Sequence, residues 1–206
     1  MKTSMKSAVA LVFALPSLAL ASTWKVDESH SNAGFAVRHM MVSNVNGSIN
    51  VKSGTINLDD KDVTKSSVEA VLDASTINTG NAKRDEHLRA PDFFDVAKFP
   101  EITFKSTKVQ KAGQGKLKVT GDLTMHGVTK SVVLDVTGPS KESKDPWGNA
   151  RTGVTATTKL NRKDFGLTYN QALETGGVAV GEEVTVSLDL SLVKQTDAAP
   201  SAADKK

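Results

Sequence analysis

Residues Val184 to Leu192 read VTVSLDLSL. Val184, Val186, Leu188, Leu190 and Leu192 take every second position, with Thr185, Ser187, Asp189 and Ser191 between them. A helix repeats about every 3.6 residues and would scatter these side chains around its whole circumference. In a strand, successive side chains point to opposite faces. The stretch is therefore a strand with one apolar and one polar face. The same period recurs along the chain. LKVTGDLTM carries Leu117, Val119, Leu123 and Met125 in one phase, with Gly121 among them. SVVLDV carries Val132, Leu134 and Val136, and SVEAVLD carries Val68, Ala70 and Leu72. EITFKS adds Ile102 and Phe104, and TGVTATTKL adds Val154, Ala156 and Leu160.

One strand changes phase. Ile49 and Val51 are odd, Ile56 and Leu58 even, and the switch falls at Ser53-Gly54. That pattern predicts a β-bulge, which bends and twists a strand as barrels and curled sheets require. Asn46-Gly47 reads as a hairpin turn, His126-Gly127 as a tight connection, and Lys141 to Ala150 as a longer loop. A single helical excursion is expected near residues 81–90, stopped by Pro91. About eight antiparallel strands then predict an all-β up-and-down barrel or a strongly curled sheet.

Met1 to Ala21 has two early lysines, an apolar run broken by Pro16, and Ala19-Leu20-Ala21 at its end. It reads as a secretory signal peptide cleaved after Ala21. The run is too short for a bilayer span, so stable membrane insertion is not expected. The expected organisation is 1–21 signal peptide, 22–194 one barrel domain, and 195–206 a disordered tail poor in apolar residues. The leader takes Lys2 and Lys6 and no acid with it, so the net charge of +3 becomes +1. With no basic block, a nucleic-acid partner is not expected. There are no cysteines, which excludes thiol catalysis and zinc-thiolate sites. An exported chain without disulfides points to a bacterial periplasm.

Catalytic signatures are absent. There is no G-x-S-x-G elbow, and Asp164-Phe165-Gly166 lacks the other kinase motifs. The histidines His30, His39, His87 and His126 show no i, i+2 or i, i+4 spacing that would aim two rings at one ion. They read as hydrogen-bonding turn residues, as ligand contacts, or as metal ligands; no metal and no cofactor is expected. An eight-stranded barrel is either filled by its side chains or holds one elongated ligand. Gly121 and the small residues of the inward face predict room inside.

Four blocks occur in order: WKVDESHSNAGFAVRHMMVSNVNGSI, INTGNAKRDEHLRAPDFFDVAKFPEITFKST, GDLTMHGVTKSVVLDV and LNRKDFGL. Together they resemble the signature of the YceI-like family across about Thr23 to Val193. The resemblance implies a lipocalin-like barrel with a helical excursion over it, in a secreted or periplasmic protein. It implies a non-enzymatic binder or carrier of an isoprenoid-like or other long-chain amphiphilic lipid, monomeric or dimeric. The lumen residues it suggests are Phe35, Val37, Phe94, Phe104, Leu123, Met125, Leu134 and Phe165. Arg84, Asp85, His87 and Arg89 then either pin the helix to the barrel rim or, with His39 and His126, face a ligand head group. Two alternatives remain: an envelope stress or protein-interaction barrel without ligand, and, with less support, a metal-dependent enzyme.

Overall fold

The computed structural model describes residues 21–174 and 176–195. The expected leader, apart from Ala21, and the expected tail beyond Gln195 lie outside the described residues. The strands are β1 (Ala21–Val26), β2 (Asn32–His39), β3 (Ser43–Asp59), β4 (Ser67–Asn78), β5 (Glu101–Gly113) and β6 (Lys116–Met125). After them come β7 (Val128–Thr137), β8 (Ser143–Lys144), β9 (Ala150–Asn161) and β10 (Val180–Lys194). Every pairing is antiparallel, and the ladder β2-β3-β4-β5-β6-β7-β9-β10 returns to β2. The sheet is thus a closed barrel of eight staves, which leaves no long strand edge unpaired. β1 extends the β2 stave. Beyond a 3-10 turn at Glu28–His30, it pairs with Thr55–Asp59 of β3 and Leu192–Lys194 of β10.

The phase change in β3 is a bulge. Val51 pairs with Leu72 and Ser53 with Val71, which leaves Lys52 as the extra residue. Lys52 and Ser53 are consecutive exposed residues, and Gly54 after them is buried. A Cβ on Gly54 would lie 2.4 Å from Val26 Cγ2, so the glycine admits β1 against the bent strand.

Asn46-Gly47 is not a turn. Both residues lie inside β3, with Ala36 opposite Asn46 and Phe35 opposite Gly47. Gly47 is small for another reason: an added Cβ would meet the Phe35 ring at 2.4 Å. The hairpin instead turns at Met40 and Met41, with φ of 52° and 61°. His126 and Gly127, φ 52° and 74°, join β6 to β7 in the tight turn that the sequence predicts. The single α-helix among the described residues, α1 (Ala82–Arg89), begins at Asn81, whose side chain accepts from Arg84 N, and stops one residue short of Pro91.

Candidate functional site

The barrel encloses a cavity of about 280 Å³. Its walls carry the alternation seen in the sequence. Phe35 and Val37 of β2, Phe104 of β5, Leu123 and Met125 of β6, and Leu134 of β7 all line it. Phe94, after the helix, lines it too. Val184, Val186, Leu188 and Leu190 of β10 complete the lining, beside β2 and across from β5. These four stay only half-buried although they line the lumen; of them Leu188 packs against the cluster of Phe104, Val109 and Val136. Apart from Ser66, Thr152, Thr158, Arg162 and glycine backbone, the lining residues are apolar.

Two expectations about the lumen are corrected. Phe165 does not line it. The 3-10 turn Arg162–Phe165 drops that ring into a packed cluster with Ile49, Ala74 and Ile77, where it is 2% exposed. Nor does Gly121 leave room. The Phe104 ring lies over it, 2.4 Å from where a Cβ would be. The glycine seats an aromatic, and the open volume comes from the moderate-sized side chains of the opposite wall.

The helix closes one end, with Leu88, Phe93 and Phe94 reaching the cavity. Its own sequence, AKRDEHLR, is too short and too polar to be stable alone. Its charges hold it to β4. Between Asp73 and Asn78 the ladder to β3 is interrupted. Arg89 fills the gap by donating from Nε to Ser75 O at 2.6 Å and from Nη2 to Ile77 O at 2.8 Å. Arg84 donates from Nε to Thr79 Oγ1 at 2.7 Å and from Nη2 to Thr79 O at 2.9 Å. The buried Asp85 accepts from the Thr79 hydroxyl and backbone N–H. The hydroxyl bond, foremost, holds its carboxyl below the usual range. His87 pairs with Asp92, Nε2 to Oδ2 at 2.6 Å, and packs edge-on against Phe93 and Tyr169.

The scaffold role therefore accounts for the polar cluster. His39 ends β2 on the surface, and His126 Nδ1 lies 3.2 Å from Phe165 O in its turn. None of His39, Arg84, His87, Arg89 and His126 is among the cavity-lining residues. Among the described residues no three His, Asp or Glu converge as a metal site.

The charged group that does line the cavity is Arg162, which is 4% exposed. Its Nε donates to Gly181 O at 2.8 Å, Nη2 to Val180 O at 3.2 Å, and Nη1 to Leu167 O. Burial pushes its pKa below the ordinary arginine value, partly opposed by the Glu182 carboxylate. The sequence did hold a signal for it. The inward phase of β9 runs Thr152, Val154, Ala156, Thr158, Leu160, and its next position is Arg162. The neighbours Lys163 and Asp164 masked that phase as a polar turn.

The family model for the YceI-like domain matches residues 24–192. A UPF0312 protein of Vibrio parahaemolyticus is 39% identical over 168 residues, covering 81% of this chain and 88% of that protein. Among solved structures, a Campylobacter jejuni YceI protein aligns with TM-score 0.63 at 28% identity, over 77% of this chain and 90% of that one. A polyisoprenoid binding domain from Saccharophagus degradans shares the fold at TM-score 0.58 and 16% identity, over 84% of this chain and 98% of that one.

Proposed function

The chain belongs to the YceI-like family, and we propose that it is a lipid-binding barrel serving as a periplasmic carrier for one isoprenoid-like or other long-chain amphiphile. One observation carries the proposal: the closed barrel keeps an apolar cavity, lined along β10 by the half-buried Val184, Val186, Leu188 and Leu190. Burying an aliphatic chain there gains about 0.8 kcal/mol per CH₂, so a chain of about ten carbons gains about 8 kcal/mol before ordering costs. The neighbour described as a polyisoprenoid binding domain has the same fold, and a linear prenyl chain suits a narrow lumen between eight staves. The signal-peptide pattern of the sequence over residues 1–21 supports the export part of this reading.

Mass spectrometry of an organic extract from protein purified out of its native envelope tests this. One prenyl or acyl species near one equivalent per chain is expected. Leu123→Trp or Leu134→Trp should fill the lumen and abolish retention while the circular dichroism of the barrel is kept. Lipid retained in both folded variants would overturn the lumen as the site. No extract from folded protein would favour instead a barrel that binds another protein, for which the 80% exposed Trp147 offers a contact.

A further inference from the structure

Arg162 is a buried cation with an apolar cavity on one side and only carbonyl oxygens as partners. Three of its five N–H groups are used, by Gly181, Val180 and Leu167. No carboxylate among the described residues forms an ion pair with it: Glu182 is engaged by Lys163 at 2.5 Å. A guanidinium removed from water and lacking a counter-ion is costly. One N–H on each of Nη1 and Nη2 is left over, and a guanidinium can give two such donors to the oxygens of one carboxylate or phosphate.

We propose that Arg162 is the head-group subsite of the lumen, and that the barrel prefers a single-chain amphiphile with an anionic carboxylate or phosphate head over an uncharged one. This rests on the lipid-binding reading above. Its placement sets the ligand's direction. Arg162 follows β9 at the end where Leu88 and Phe94 close the barrel, so the head lies under the helix. The chain then runs toward Leu58 and Pro139 at the other end. The helix arginines are excluded from this role because neither Arg84 nor Arg89 lines the cavity.

The test compares amphiphiles of one chain length on the delipidated full-length protein, by calorimetry below their micelle concentrations. Lauric acid and lauryl phosphate are measured against lauryl alcohol. A charge-assisted hydrogen bond in place of a neutral one is expected to tighten the anionic ligands about tenfold or more. Arg162→Lys should keep part of that preference, and Arg162→Met should bring the acid-to-alcohol affinity ratio to one. A purely structural arginine would leave the ratio unchanged in any variant that folds. If the variants do not fold, the wild-type ratio decides alone. Equal affinities for acid and alcohol overturn the head-group subsite and leave the lipid barrel standing. Binding of none of the three overturns both.

Discussion

β5 and β10 stand four staves apart whichever way one counts around the barrel, so they face each other across the lumen. Both present an apolar phase inward, yet the two walls differ. Ile102, Phe104 and Val109 of β5 are buried. Val184, Val186, Leu188 and Leu190 of β10 are half-buried. The cause is what each residue meets. Phe104 lies across Gly121, Val109 packs with Val119 and Val136, and Ile102 joins the cluster around Ile77 and Phe165. β10 offers only aliphatic side chains, with no aromatic ring to span the gap. Inward alternation tells which face a residue takes, and residue size across the lumen tells whether that face is packed.

The strongest way to break this contrast is to truncate both walls. Phe104→Ala removes a packed ring and uncovers Gly121, and is expected to cost about 3–5 kcal/mol in urea unfolding. Leu190→Ala truncates a cavity-lining residue that belongs to neither packed cluster, so its cost should sit at or below about 2 kcal/mol, the low edge for such a change. Equal losses at the two sites would show that β10 is packed as firmly as β5.

Much of this was legible in the sequence. Period-two runs place every main stave but β2, and the odd-to-even shift between Val51 and Ile56 marks the bulge at Lys52 to within two residues. What failed was glycine. Gly47 looked like a turn and Gly121 like empty space, because a glycine signals only a missing side chain. Which atom occupies that space, Phe35 or Phe104, depends on a pairing that lies in another strand. Phe165 failed for a related reason: past the end of β9 the chain turns, and strand phase no longer says where a ring points. Arg162, which keeps the phase, was hidden by charged neighbours instead.

Adding atoms gives a second, smaller contrast. A Cβ on Gly121 would sit 2.4 Å from Phe104 Cζ and 2.6 Å from Lys105 O, and a backbone atom cannot swing aside. Gly121→Ala is expected to cost about 1–3 kcal/mol. Val186→Leu on the opposite wall adds a methylene to open lumen and should be near neutral to thermal unfolding. A destabilised Val186→Leu with an unaffected Gly121→Ala would reverse the assignment of the two walls.

The smallest effect concerns how the looser wall is held at its far end. There β10 is tied by polar contacts: Asp27 N donates to Ser191 O at 2.8 Å, and Arg151 Nη1 reaches Ser191 Oγ at 3.3 Å. Arg151 also bonds Asp27 Oδ2 at 2.6 Å and Asp145 Oδ2 at 2.8 Å. The Ser29 hydroxyl and then Arg151 hold the Asp27 carboxyl well below the usual range. Arg151 foremost holds Asp145 at about 2. An unfolded aspartate titrates near pH ~3.9. Lowered folded values mean that this stabilisation is complete above that pH and is lost as the pH falls toward the folded values. Arg151→Met should therefore be less stable than the parent at neutral pH. Its stability should fall less steeply between pH ~4 and ~2, so that the two curves approach each other in acid. Denaturant titrations across that window read the difference directly. Parallel curves would mean that the ion pairs do not anchor β10, and that its outer end is held by Trp24 and Leu192, both buried there, in the manner of β5.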